Sequence, residues 1–243
     1  FWSGFGLRAW IYAVARMVWR TLGECAPLTR ATARRSALAL ATTADTAQRL
    51  RRLGATRVEV QPAIALSSDE LALFSTAPPP PEGPMRAISI GRLLNWKGYD
   101  LGLRAYAAAL ERGSANLGDY WLVGDGPELA RLQRLAQRLN ITQRVRFLGR
   151  LSRKDTVAAL GQCHLLLHPS LHDSGGMVCL EAMAARRPVI CLALGGPAEL
   201  VNDAAGIAVP ADRLAMAGAG LARALERLAN EPDLRARMSA GAQ

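Results

Sequence analysis

The sequence predicts an α/β protein: a doubly wound parallel sheet over residues 85–243, preceded by a partial α/β unit. Three observations carry this. Short apolar runs recur at 87–90, 121–123, 145–149, 165–167, 189–194 and 206–209. Stretches of helix-favouring residues separate them. Polar, glycine-bearing turns close several of the runs, at the strand ends where α/β sheets hold their ligands.

Composition narrows the field. Half of the 243 residues are apolar, enough for a sizeable core. The net charge of +10 and a pI near 10.4 favour anionic partners: nucleotides, nucleic acid or acidic membrane surfaces. No basic run interleaved with aromatics suggests stacked bases, so nucleic acid is not expected as a partner. No apolar run reaches the roughly 18 residues of a membrane span. No basic-then-apolar leader with a cleavage site is present, so a cytoplasmic location is expected. Cys25, Cys163, Cys179 and Cys191 form no C-x-x-C pair and read as reduced thiols. The absence of H-E-x-x-H, zinc-like cysteine spacing and D-x-D leads to the expectation of no metal and no cofactor.

Residues 1–24 mix apolar and basic residues at helical spacing, with Arg8, Arg16 and Arg20 among Trp10, Ile11, Val14, Val18 and Trp19. Two readings stay open: a basic helix on the anionic inner face of a membrane, and a helix packed on a sheet. The opening F-W-S-G-F-G follows no strand and is not read as a phosphate loop. Leu38–Thr42 reads as a strand, followed by a helix to Leu53 that Gly54 stops. Arg57–Val60 reads as a second strand ended by Pro62, and 67–75 as a short helix. Pro78–Pro81 cannot continue a helix or a sheet. They suggest a partial first domain at 1–76, a linker at 77–84 and a second domain at 85–243. A first domain of that length is shorter than the roughly 100–150 residues usual for a domain.

In the second domain, Ala87–Ile90 reads as a strand, Gly91–Lys97 as a loop and Asp100–Arg112 as a helix. Arg92 and Lys97 are cations on a loop at a strand's C-terminal end. Arg can grip a phosphate bidentately and Lys acts as a compact charge, although ordinary surface charge would look the same. Trp121–Val123 is the next strand, with Gly124 and Gly126 as turn formers and a helix over Glu128–Leu139. Val145–Gly149 is a third strand, and Ser152 with Asp155 starts a helix that runs to about Gly161.

The stretch from His168 to Pro197 carries the chemistry. Strand Leu165–Leu167 ends in a turn holding His172, Asp173, Ser174, Gly175 and Gly176. A helix follows over Met177–Ala185, then the run Val189–Leu194 and a loop opened by Gly195-Gly196. Glycines before a helix let a ligand approach the backbone. The first turn, at Met177 and Val178, offers unpaired N–H groups and the positive end of a dipole, a ready phosphate site. Asp173 and Glu181 lie at most roughly 12 Å apart. That span suits a diphosphate between two hydroxyl-bearing groups, which carboxylates bind by accepting hydrogen bonds. His164, His168 and His172 recur every four residues, but on a strand and its turn that spacing is accidental. Cys179 reads as packing. Gly206–Val209 reads as the last strand, Asp212 as the cap of a helix over Leu214–Ala229, and Pro232 as the start of a final helix.

Asp173 and Glu181 with seven residues between them, then E-A-M-A, P-V-I and G-G-P-A-E, resemble the acid-x7-acid signature of the family 4 retaining glycosyltransferases of GT-B fold. G-R-L-L-N-W-K-G resembles the same family's G-R-x-x-x-x-K-G. The H-D-S-G-G form, with Asp173 where Glu is usual, is similar to a bacterial subgroup. The resemblance covers 85–230 closely and 30–66 more loosely. It implies a Rossmann-like donor domain, with the upstream acceptor domain present only in part.

The resemblance also implies roles. Arg92 and Lys97, beside Gly91, would grip the donor diphosphate and stabilise charge on the leaving group. Glu181 would bind the ribose, and Asp173 the donor sugar, with His172 at its border. Leu148, Gly149, Arg150 and Leu151 would face the base, and Glu199 would lie beside the nucleotide. The implied activity is transfer of a sugar, with retention, from a nucleotide diphosphate sugar, first of all a UDP sugar. The acceptor would be a saccharide or a lipid-linked saccharide, with peripheral membrane contact as an accompanying expectation. Binding of nucleotide without turnover, and nucleotide-sugar epimerisation, are the alternatives.

Overall fold

The computed structural model describes residues 15, 18–61 and 64–242, and the chain divides into two compact units, 1–63 and 64–243. The stretch around Arg8, Trp10, Ile11, Val14 and Arg16, and the stop at Pro62, lie outside the described residues; residues 18–25 are helical.

The first unit contains a β-α-β element. Helix α1 (Pro27–Arg35) precedes strand β1 (Ala39–Ala41), helix α2 (Ala44–Leu53) and strand β2 (Val58–Val60). The two strands pair in parallel, with Ala39 opposite Val58 and Ala41 opposite Val60. Thr43 caps α2 by accepting from the Thr46 amide at 3.2 Å, and Gly54 ends it in the left-handed region.

The second unit opens with α3 (Ser68–Ser75), started by a capping box between Ser67 and Glu70. Six strands follow: β3 (Met85–Ile90), β4 (Leu117–Val123), β5 (Val145–Gly149), β6 (Leu165–His168), β7 (Val189–Leu192) and β8 (Gly206–Val209). They form one parallel sheet in the order β5-β4-β3-β6-β7-β8. Helices α4 (Tyr99–Glu111), α5 (Leu129–Arg138), α6 (Arg153–Gly161), α7 (Met177–Ala184), α8 (Gly195–Leu200), α9 (Leu214–Asn230) and α10 (Pro232–Gly241) connect or follow the strands. The sheet is doubly wound, as the sequence predicts. Its order reverses between β3 and β6, so the helices that follow these two strands, α4 and α7, cover opposite faces; the C-terminal ends at such a switch point are where α/β sheets hold ligands.

Both faces of the sheet are covered, which is why its strands are apolar throughout rather than alternating. Leu165 and Leu167 point to one face with Leu103, Tyr106, Leu122 and Leu225. Leu166 points to the other with Phe74, Ile88, Leu160, Cys179 and Cys191. Each fully buried leucine of this kind contributes about 1.5–3 kcal/mol. Burial pushes the thiols of Cys163 and Cys191 up to about 12, so these are inert packing groups.

Three local readings need correction. Residues 64–76 pack with the second unit and not the first, because Phe74 is fully buried in its core. The proline run is held there too: Arg187, itself buried, donates to the carbonyls of Pro78 and Leu160. The segment Gly195–Glu199, expected as a loop, belongs to the short helix α8. The residue flanking α9 is Arg213, without a side-chain cap, and not Asp212.

Candidate active site

Three loops meet at the C-terminal end of the sheet. The first leaves β3 at Gly91, passes Arg92 and a single 3₁₀ turn, Asn95–Lys97, and enters α4 through Gly98. Gly98 adopts φ +67°, and a Cβ there would lie 2.0 Å from the Pro169 carbonyl oxygen. Only glycine lets the first loop press so closely on the second. The amide of Leu171 then donates to the Trp96 carbonyl at 2.9 Å.

The second loop runs from His168 to Gly176, and Asp173 is its hub. Its Oδ1 accepts from the amides of Gly175 and Gly176 at 3.3 and 3.0 Å. Its Oδ2 accepts from Lys97 Nζ at 2.6 Å. His168 Nε2, buried at the end of β6, lies 3.2 Å from the same oxygen without hydrogen-bond alignment. Burial alone would raise the Asp173 carboxyl, but the contacts from His168, Lys97 and Gly176 overcome it. They hold the group well below the usual carboxylate range.

The third loop follows β7. Gly195 has φ +61°, and a Cβ there would lie 2.2 Å from the Asp173 carbonyl oxygen. The Gly196 amide donates to that oxygen at 2.9 Å. Gly195-Gly196 therefore packs backbone against the Asp173 loop. Glu199 lies on α8 and is exposed, as are His172 and Ser174.

The anion site expected at the start of α7 is thus arranged in part by the protein's own carboxylate. Asp173 takes the Gly175 and Gly176 amides. Those of Met177 and Val178 belong to the first turn of α7, where an α-helix supplies no acceptor of its own. Among the described residues, Arg92 is exposed and its guanidinium has no hydrogen-bond or ion-pair partner. Lys97 is tied to Asp173.

Glu181 sits one turn further along α7, with its side chain only 8% exposed. Arg153, the first residue of α6, donates from Nη1 to Glu181 Oε1 and from Nη2 to Glu70 Oε1 on α3. Its guanidinium lies over the Phe74 ring, 4.9 Å from the centroid. Burial raises the Glu181 carboxyl while Arg153 pulls it down, with a net rise. Leu148 and Leu151, at the end of β5 and just past it, are half-buried against the core that holds Phe74, while Arg150 is exposed. Gly149 joins this edge to the turn that follows β4, because its carbonyl accepts from the Gly124 amide at 2.7 Å.

The structure thus brings Lys97, Asp173, Gly175, Gly176 and Gly195 into one cluster, and Glu181 into a second with Arg153 and Glu70. Sequence reasoning missed Arg153, Glu70 and His168 as members. Arg153 and Glu70 stand 83 positions apart, and nothing in their spacing announces the contact. Among the described residues, no group of His, Cys, Asp and Glu is placed to hold a metal ion. Among them also, no helix is long and apolar enough to cross a membrane.

Residues 74–243 match the family described as "Glycosyl transferases group 1". The chain belongs to this glycosyltransferase family. The alpha-D-kanosaminyltransferase of Streptomyces kanamyceticus is 31% identical over 154 residues, which is 63% of this chain and 38% of that protein. The lipopolysaccharide core biosynthesis glycosyltransferase LpsD of Rhizobium meliloti is 36% identical over 124 residues, 50% of this chain and 34% of the relative. The chain therefore spans little more than a third of these relatives. The crystal structure of Anabaena HepE in complex with UDP superposes with a TM-score of 0.67 at 22% identity, over 87% of this chain and 59% of that one. This likeness places the glycosyltransferase chain in the GT-B fold.

Proposed function

We propose that residues 64–243 form the donor site of a retaining glycosyltransferase that takes a UDP sugar and passes the sugar to a saccharide or a lipid-linked saccharide. The observation that carries this reading is the meeting of Lys97, Asp173 and the N-terminus of α7 where the strand order reverses. The solved UDP complex of a protein with this fold supports the choice of base.

In this reading the diphosphate lies against the amides of Met177 and Val178, between Arg92 and Lys97. These groups neutralise the negative charge that builds on the leaving diphosphate as the glycosidic bond breaks. The helix amides and the anchored Lys97 need no reorganisation during the reaction, so they favour the transition state over the bound donor. Glu181 accepts from the ribose hydroxyls. Asp173 orients Lys97, and its carboxylate borders the donor sugar with His172. Leu148–Leu151 flank the base, and Glu199 lies beside the nucleotide. The charge a divalent ion would bring comes from the two cations, so no metal and no cofactor take part. The protein works in the cytoplasm, at the inner face of the membrane where a lipid-linked acceptor would lie.

A panel of UDP, GDP, ADP and their sugars in thermal shift and calorimetry tests the donor. A selective rise in melting temperature with one base supports the reading, and no response to any nucleoside diphosphate overturns it. Because the family match occupies 74–243, nucleotide binding without turnover is the second reading for this chain. Donor consumption in the presence of saccharide acceptors separates the two.

A further inference from the structure

We propose that Arg153 is a positioning residue for nucleotide recognition: it holds Glu181 ionised, with one oxygen turned to the vicinal diol of the donor's ribose. This rests on the assignment of Glu181 to the ribose and extends it to a second side chain on another helix. Arg153 contacts Oε1 of Glu181, which leaves Oε2 to accept from hydroxyls. A buried carboxylate without a partner would rather be neutral, and a neutral acid is a poorer acceptor for two hydroxyls.

Arg153 is held at three points. One arm of the guanidinium is on Glu181, another is on Glu70, and its face lies over Phe74. Glu70 is itself fixed at the start of α3, where Ser67 donates to it from its amide and its hydroxyl, each at 3.1 Å. The groups that bear on Glu181 are Arg153 from α6, Glu70 from α3 and Cys179 on its own helix. Burial raises the Cys179 thiol well above its ordinary value, so it stays neutral, and Glu70 repels. Arg153 is therefore the cation that keeps Glu181 charged.

The test compares UDP with 2′,3′-dideoxy-UDP by calorimetry between pH 5 and 8, in the full chain and in R153Q, R153K and E181Q. The wild-type chain should prefer UDP about tenfold, the scale of a hydrogen bond to a charged group. In R153Q the Glu181 carboxyl titrates higher, so the preference should fall towards one as the pH drops and recover as it rises. R153K should lie between, since one ammonium cannot serve two acids in the fork geometry of Arg. E181Q should lose the preference at every pH. A wild-type ratio in R153Q across the whole range, with the ratio lost in E181Q, overturns the proposal and leaves the ribose assignment standing. An unchanged ratio in E181Q overturns that assignment and this proposal with it. Should R153Q fail to fold, R153K decides: a ratio that falls with pH supports the proposal, and one identical to wild type overturns it.

Discussion

Lys97 Nζ lies 2.6 Å from Asp173 Oδ2, joining the loop that follows β3 to the loop that opens α7. The two residues are 76 positions apart, and their side chains are 24% and 15% exposed. The pair gives Lys97 a fixed place at the mouth of the helix, while Arg92 remains exposed.

That difference ranks two substitutions. Arg92→Ala removes one exposed cation and should weaken UDP binding by about 1–2 kcal/mol. Lys97→Ala removes a cation and also leaves the Asp173 charge facing the diphosphate, so it should cost about 2–3 kcal/mol. Adding Asp173→Asn to Lys97→Ala should recover part of that loss. Calorimetry on the three variants checks the order, and equal losses with no recovery would show that the pair does not shape the anion site.

The same pair sets a pH dependence. The Asp173 carboxyl is held below its unfolded value near 3.9, so its ionised form is favoured in the folded chain. The stability this supplies is complete above that unfolded value and fades as the pH falls below it. Asp173→Asn should therefore melt lower than the wild type by a constant margin from pH 8 down to about 5, with the gap narrowing below about pH 4 and closing only as the pH falls towards the carboxyl's own, much lower value in the folded chain. Melting temperatures that differ equally at pH 3 and pH 7 would assign the effect to packing.

Much of the fold, and the turn at the centre of the site, was legible in the sequence because the parts are local. Ser152 does accept from the Asp155 amide, Gly54 does end a helix, and the turn before Met177 does lead into one. What was not legible depends on distant partners. Phe74 draws α3 into the second unit from beyond the proline run, and only the core it enters explains that. Arg153 finds Glu181 and Glu70 across three helices. Asp173 was read only as a ligand for sugar; its contacts with the Gly175 and Gly176 amides and with Lys97, which position the loop and the lysine, were not foreseen.

Metal dependence is a further point of test. If Arg92, Lys97 and the α7 amides neutralise the diphosphate, a chelator should leave the dissociation constant for UDP within about twofold of its value in added magnesium. Titrations with chelator and with magnesium check this. A tenfold weakening by chelation would mean that a cation shares the diphosphate with these groups.

Gly195 gives the sharpest test of how the loops are assembled. Alanine at its φ of +61° pays about 1 kcal/mol for the left-handed backbone alone. The added Cβ would also sit 2.2 Å from the Asp173 carbonyl oxygen, which is backbone and cannot rotate away. Gly195→Ala should therefore cost about 3 kcal/mol, the upper end of ordinary substitutions, and should push the Asp173 loop out of place. Gly113 supplies the control, because its φ is +76° and its Cβ position is open within 4 Å. Gly113→Ala should show only the backbone cost and leave UDP affinity unchanged. Denaturant unfolding and calorimetry on both variants separate the two contributions. Equal stability losses, with UDP binding intact in both, would mean that the third loop yields freely and does not fix Asp173.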